Sequence, residues 1–143
     1  MFGAIRNLCK KVLDLDQVAI LEEALQDSGI QELIIELNQS QLFDVGIEAD
    51  GTPTGNYSEV SVTKYGKEPG HITLHDTGET YDSMKVITGD TGFQIIADMD
   101  LHGVDLNVIY PHALGLTEDS LAILIPKLRT VMIIIIKEKL KIA

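Results

Sequence analysis

The longest apolar pattern in the chain is at residues 117–141, which read TEDSLAILIPKLRTVMIIIIKEKLK. Large aliphatic side chains recur there at the three- and four-residue spacing of an amphipathic helix. A threonine followed by two acids is typical of a helix N-terminus, and the closing lysines suit a C-terminus. The pattern therefore predicts a long apolar helix over residues 116–141. Its core-facing stripe contains Leu121, Leu124, Ile125, Leu128, Met132 and Ile135.

Two features make this helix unusual. Pro126 follows the start by about two turns and predicts a kink or a restart, because proline has no amide hydrogen to donate. Ile133, Ile134 and Ile136 fall off the stripe, so the helix is apolar nearly all round and needs a cover on more than one side. These three isoleucines are candidate interface residues. The β-branched run 131–136 also allows a strand, and this alternative stays open.

The N-terminal third of the chain contains further helical patterns. Ile30, Leu33, Ile34 and Leu37 recur at helical spacing and predict a core helix that runs into Leu42 and Phe43. Its predicted solvent-facing side consists of Gln31, Glu32, Glu36 and Asn38.

Residues 1–28 are predicted to form a helical extension that precedes this core helix. Asp16 is a suitable N-cap for a helix over Gln17–Gln26, and Gly29 suggests a joint. A first short helix is predicted over Phe2–Val12, where Cys9 shares a spacing with apolar neighbours and is expected in the core.

The middle of the chain, residues 50–71, is rich in glycine, proline and polar residues and predicts a long loop. Within it, residues 58–65 are compatible with an edge strand or with plain loop. Long loops in compact domains are usually functional or ordered by a partner. The apolar anchors of this loop are therefore candidate interface residues: Tyr57, Val60, Val62 and Tyr65.

A short helix and a hairpin are predicted after the long loop. Residues 76–84 predict a loop, a cap at Asp76 or Thr77 and one or two helical turns, with Tyr81 and Met84 on one buried face. Residues 84–88 and 93–97 are β-branched or aromatic and flank a turn that starts and ends in glycine, which predicts a β-hairpin. Residues 98–115 are expected to be loop.

Length and composition indicate one α+β domain over residues 1–143 with a net charge of −11. An acidic surface repels phosphate backbones and anionic lipid, which argues against general nucleic-acid or membrane binding. One cysteine cannot form an internal disulfide. The N-terminus lacks the pattern of an export signal and no apolar run could span a bilayer, so we expect a soluble protein made in the cytoplasm.

Two clusters could in principle bind metal. His71, His75 and Asp76 lie within six residues, but the sequence between them is extended and no metallopeptidase pattern follows. Asp98, Asp100 and Asp105 resemble part of a calcium loop without its glycine and closing glutamate. No nucleophile or phosphate-binding motif is present in the sequence. We therefore expect no metal, no cofactor and no catalytic residue.

A set of short motifs follows the same order along much of the chain. The motifs are the helix at 34–42, Asp50-Gly51, Gly55-Asn56-Tyr57-Ser58, Thr63-Lys64, Leu74-His75-Asp76-Thr77-Gly78, then Tyr81, Ser83 and Met84, and Leu114-Gly115-Leu116-Thr117-Glu118. In these motifs the chain resembles the virion-morphogenesis proteins of tailed bacteriophages, in the neck and tail-completion group, and above all small structural proteins of Bacteroidales phages, including crAss-like phages. The resemblance covers about residues 30–142, and the chain departs from it at residues 1–26 and in the isoleucine-rich last helix.

The resemblance implies a structural virion protein that forms or joins a homo-oligomeric ring at the head–tail joint. Its partners would be copies of itself and the neighbouring portal-side and tail-tube-side proteins, with DNA passing nearby without specific binding. Two alternatives stay open. One is a soluble adaptor or inhibitor that binds a partner protein through the apolar C-terminal helix. The other is a small metal-dependent enzyme that uses His71, His75 and Asp76.

Overall fold

Apolar side chains at helical spacing produce most of the architecture, and the computed structural model describes residues 2–66, 70–76, 78–89 and 92–141. The described residues form an α+β fold of helices and two small antiparallel sheets. The helices are α1 (Phe2–Leu13), α2 (Gln17–Leu25), α3 (Ser28–Ser40), α4 (Glu59–Tyr65), α5 (Glu79–Asp82), α6 (Leu106–Ile109) and α7 (Glu118–Leu140). A π-helical turn, Gln41–Val45, continues α3.

Polar side chains start the core helices as the sequence predicts. Asp16 accepts hydrogen bonds from the amides of Val18 and Ala19, and Thr117 accepts one from the amide of Ser120. These bonds satisfy amides that have no partner inside the helix. The joint between α2 and α3 lies at Gln26 and Asp27, just before the predicted Gly29, and Asp27 caps α3.

The C-terminal helix α7 is continuous from Glu118 to Leu140, with Pro126 inside it. The helix does not restart at the proline, and the strand alternative for residues 131–136 is wrong. The reason is that the β-branched run continues the helical stripe: Val131 and Ile135 face the same side as Leu128 and pack on the helices beneath. Tertiary packing outweighs the β-propensity of the isoleucines.

The apolar core consists of three connected clusters. Cluster one is Leu42, Tyr81, Met84, Met99, Leu106 and Ala113; cluster two is Leu25, Ile30, Ile34, Ile95 and Leu124; cluster three is Ile20, Ala24 and Ile135. Leu114 packs against both cluster one and cluster two, while Leu128 and Val131 pack against clusters two and three. Cluster two therefore lies between the other two, and clusters one and three form opposite ends of the core.

The predicted hairpin is confirmed. Strand β1 (Lys85–Gly89) pairs antiparallel with β2 (Gly92–Ile96), and Val86 lies opposite Ile95. The turn residues Asp90 and Thr91 lie outside the described residues. The hairpin packs on α2 and α3 through its buried face. The predicted shared face of Tyr81 and Met84 is also confirmed, since both belong to cluster one.

Two segments predicted as loop or strand have other structures. Residues 59–65 form α4, because Thr63 donates its hydroxyl to the Glu59 carbonyl and the amide of Val62 bonds to the Ser58 carbonyl at 3.1 Å. Residues 98–110, predicted as loop, contain β3 (Asp100–Leu101), β4 (Val104–Asp105) and α6. Asp105 caps α6 by accepting from the Asn107 amide.

The predicted cap of α5 at Asp76 or Thr77 is wrong, since the N-cap is Gly78 in a left-handed conformation.

Three buried polar side chains hold residues 112–117 against the α3 region. Asn38, predicted to face solvent, is fully buried; it donates to the Ala113 carbonyl and accepts from the Gly115 amide. Gln41 donates to the Gly115 carbonyl and accepts from the Thr117 amide. Glu48 accepts from the His112 amide. We call Asn38, Gln41 and Glu48 the polar clamp, because it satisfies the backbone of a segment that has no strand or helix partner.

The first helix differs most from its predicted packing. Every described side chain of α1 is exposed, including Cys9, so the expectation of a core cysteine is wrong. The apolar stripe is present, but none of its three side chains is buried among the described residues: Ile5, Leu8 and Val12 are 53%, 43% and 47% exposed. Helical periodicity is correct for α1, but it does not specify what the stripe packs against.

Candidate interaction surfaces

The exposed side of α7 carries four large aliphatic residues. Ile123, Ile125, Ile133 and Ile134 are 56%, 47%, 46% and 53% exposed. At 100° per residue, Ile123 and Ile134 fall on one flank of the helix and Ile125 on the other, with Ile133 opposite the core. We call these four residues the isoleucine surface. Large aliphatic side chains that stay half exposed around one helix are typical of surfaces that other molecules cover.

The predicted interface residues of α7 are thus divided. Ile133 and Ile134 are exposed, as their positions off the stripe predict. Ile136 is half-buried against cluster three, so most of its contact is inside the chain. Ile125, predicted on the core stripe, is exposed instead.

The predicted interface residues of the central segment are only partly visible. Tyr57 and Val62 are half-buried, and the side chains of Val60 and Tyr65 lie outside the described part of the structure. The segment itself is fixed to its own chain by two backbone bridges, Ile47 to Pro53 and Asn56 to His71. Thr54 adds a buried bond to the Ile72 carbonyl at 2.6 Å. The predicted long loop is therefore held to the domain at Pro53 and Thr54, while most of its other described residues are exposed.

A groove lies where this segment meets β3, β4 and α6. Its cavity volume is about 310 Å³. The walls are mostly apolar and are formed by residues from two segments, 57–80 and 100–110. The lining residues are Tyr57, Ile72, Leu74, His75, Asp76, Gly78, Glu79, Thr80, Asp100, Leu101, Val104, Leu106, Ile109 and Tyr110.

The charged residues in the groove are acidic. Asp76, Glu79 and Asp100 come from different segments, and none of the described lining residues is lysine or arginine. Val104 and Ile109 extend the apolar wall to the surface, where they are 48% and 55% exposed. The wider region is acidic too, since residues 72–110 contain seven acids and one lysine. We call this site the acidic groove.

Aromatic residues pack together beside the acidic groove. The Tyr81 hydroxyl donates to the Thr73 carbonyl, and burial, followed by the nearby Tyr57 and Asp44, raises the pKa of Tyr81 well above its usual range. The His75 ring stands edge-on to Phe43 and Tyr81, with ring centres 5.8 and 4.7 Å away. Burial also raises the pKa of Tyr110 on the groove wall.

The candidate metal ligands have other contacts. His71 Nε2 lies 2.6 Å from the Phe43 carbonyl oxygen, and because a carbonyl only accepts, this nitrogen carries the proton. Asp76 lies 3.8 Å from His102. The acids at 98–105 bond to backbone amides of their own turns. Among the described residues, no group of three or more histidines, cysteines or acids could hold a metal ion.

Sequence reasoning did not predict the groove, and it did not predict that the apolar stripe of α1 is exposed. The groove depends on β3, β4 and α6, which are too short to show a period. One signal was available: Asp105 precedes Leu106 and Ile109 as a cap precedes a helical turn. For α1, the usable signal was charge, because this helix has three basic residues and no acid in an acidic chain.

Comparisons with known proteins do not assign the chain to a family. No protein-family model, no curated protein and no solved structure matches it. In the described part of the chain, no helix is long and apolar enough to cross a membrane.

Proposed function

We propose that the protein is a structural component of a tailed-phage virion that forms or joins an oligomeric ring at the head–tail joint. The observation that supports this best is the isoleucine surface. Four large aliphatic side chains stay about half exposed on the longest helix of the chain. Covering the exposed half of each contributes about 1 kcal/mol, so neighbouring subunits that together cover all four gain several kcal/mol before the cost of association.

The charge of the chain suits this proposal. A net charge of −11 disfavours DNA binding but suits the wall of a DNA conduit, since acidic side chains repel the phosphate backbone of the passing DNA. In this proposal the chain acts as a scaffold, with no cofactor and no reaction of its own. It is made in the cytoplasm of an infected bacterium and ends in the virion. Its neighbours are copies of itself and the proteins on the portal and tail-tube sides.

The virion assignment is tested by quantitative mass spectrometry of purified particles of the phage that encodes the chain. We expect peptides of this protein at a fixed copy number per particle that matches a closed ring. Absence from intact particles would contradict the proposal. A stable 1:1 complex with a host protein, together with that absence, would favour the adaptor alternative. Stoichiometric zinc or manganese in the purified protein would favour the enzyme.

The isoleucine surface is tested separately with the recombinant full chain. We expect Ile133→Glu and Ile134→Glu to leave the chain folded and to weaken self-association, because an unpaired charge buried at an interface costs several kcal/mol. Gln94→Glu, an exposed position on β2, adds the same charge elsewhere and is the matched control. The measurement is light scattering after circular dichroism. Unchanged assembly of folded mutants would remove α7 from the interface.

A further inference from the structure

We propose that α1 of one copy of this chain docks into the acidic groove of a second copy. This inference adds a second contact, beside the isoleucine surface, to the self-association of the proposed function, and rests on that proposal only for the closure of the contacts into a ring. It joins two surfaces that the chain leaves uncovered: the stripe of α1, and the apolar wall that reaches the surface at Val104 and Ile109.

The stripe of α1 has the form of a helix that binds in a groove. Ile5, Leu8 and Val12 stand at positions i, i+3 and i+7, which are the usual anchor positions of such helices. At 100° per residue, Arg6 and Lys11 fall on opposite sides of this stripe. A helix that lies with its stripe in a groove therefore brings one positive charge to each rim.

The charges of the two surfaces are complementary. Helix α1 carries three basic residues and no acid, so the net charge of −11 leaves −14 for the rest of the chain. The groove contributes Glu79 from α5 and Asp100 from β3, and its described lining has no lysine or arginine. Complementary potentials speed encounter and fix register more than they add affinity. The apolar stripe would supply most of the affinity, and the charges would orient the helix.

The fold favours docking between copies over docking within one copy. Only residues 14–16 connect α1 to α2, and a link of three residues spans at most about 11 Å. Leu15 in this link packs against cluster three, while the groove is built on cluster one at the opposite end of the core. Because α1 starts at one end of the core and the groove lies at the other, docking of α1 into the groove of a second copy is a head-to-tail contact. Repeated head-to-tail contacts close into a ring or extend as a filament.

Complementary mutants test the contact. Leu8→Asp removes the central anchor of α1 but keeps the groove, and Ile109→Asp damages the groove wall but keeps α1. By sedimentation velocity we expect the wild type to form assemblies larger than a dimer. We expect each mutant alone to lose the assemblies larger than a dimer, with the dissociation constant of the α1–groove contact raised about 30-fold or more, as for a hot-spot residue. Mixed together, the two mutants should bind each other 1:1, since the intact α1 of one fits the intact groove of the other.

Matched controls separate docking from folding. Asn7→Asp adds a charge to α1 off the stripe, and Val108→Asp adds one to α6 at a position that is 79% exposed and does not line the groove. Both should assemble like the wild type, and circular dichroism should show all four variants folded. Raising the salt concentration should weaken wild-type assembly, because exposed charges are screened within about 10 Å at 0.1 M.

Several results would overturn the inference. If Leu8→Asp and Ile109→Asp assemble normally while Ile134→Glu does not, the ring uses α7 and only this inference fails. A mixture that stays monomeric, or a wild type that is monomeric at all concentrations, also refutes it, while particle mass spectrometry still decides the proposed function. Binding of a monomeric wild type to phosphatidylserine vesicles, lost in Leu8→Asp alone, would assign α1 to a membrane surface instead.

Discussion

The two ends of the core are stabilised by different means. At the α7 end, clusters two and three consist of aliphatic residues from regular helices and the hairpin. At the groove end, cluster one is surrounded by irregular backbone, and the polar clamp satisfies that backbone from a distance of 64–77 residues in sequence. The first kind of stability tolerates exchange among aliphatic residues of similar size. The second depends on single polar atoms, because a buried amide or carbonyl left without its partner is costly.

The largest expected effect compares one substitution at each end. Asn38→Leu leaves the Ala113 carbonyl and the Gly115 amide without their partner, and at 1–3 kcal/mol each the free energy of unfolding should fall by about 4 kcal/mol. Ile34→Ala, at a fully buried position of cluster two, should cause a similar loss through a cavity, about 2–5 kcal/mol. Denaturant titration measures both.

Hydrogen exchange then distinguishes the two mechanisms. We expect Asn38→Leu to speed exchange mainly at residues 112–117, and Ile34→Ala to speed it throughout α2, α3 and α7. Equal acceleration everywhere in both variants would mean that the two ends unfold as one unit, and would remove the contrast between them.

A medium effect is expected at Gly46, where the turn after α3 meets the groove-side segment. Its backbone is left-handed, with φ 76°, and a Cβ there would lie 2.5 Å from Cγ of His71, whose ring is held by the Phe43 carbonyl. Gly51 has a similar φ of 85° with nothing within 4 Å. Gly51→Ala should therefore cost about 1–2 kcal/mol for the conformation alone. Gly46→Ala should cost clearly more, and equal thermal stabilities would show that the His71 ring moves freely.

The smallest effect is expected from Tyr81→Phe. The lost hydrogen bond to the Thr73 carbonyl should cost about 1 kcal/mol at pH 7. Because the pKa of Tyr81 is raised in the folded state, its contribution is complete below its unfolded pKa of about 10 and is lost as the pH rises above that value. The wild type should therefore lose stability in alkali more steeply than the mutant. Parallel stability curves above pH 10 would contradict the burial of this hydroxyl.

The sequence predicts the α7 end well because its signals are local. The cap at Thr117, the stripe through Leu124 and the glycine-flanked hairpin each act over a few residues, and all three are confirmed except for Ile125 of the stripe, which is exposed. The groove end could not be predicted in the same way. Asn38 falls on the polar side of the α3 pattern, and only the tertiary structure shows that the Gly115 backbone lies against it. The elements β3, β4 and α6 are too short to show a periodic pattern of apolar residues.

The surfaces were predicted less completely than the fold. Ile133 and Ile134 are exposed, as their positions off the stripe predict, whereas Ile136, also off the stripe, packs against cluster three. Helix α1 was predicted from its periodicity, yet its exposure was not, since a period specifies a face but not its cover. Tyr57 and Val62 are half-buried, and the backbone bridge from Asn56 to His71 beside Tyr57 joins residues too far apart in sequence for a local pattern to predict.

The position of α7 also sets the order of events during synthesis. Helices α2 and α3 are made before α7, the helix that packs on both of them. The segment that the polar clamp holds immediately precedes it. Neither end of the core can be completed on the ribosome until α7 and the segment before it have emerged, because both ends rely on contacts with residues 112–140. Completion of the fold is therefore expected to follow the synthesis of α7, with the apolar faces of α2 and α3 open to chaperones until then.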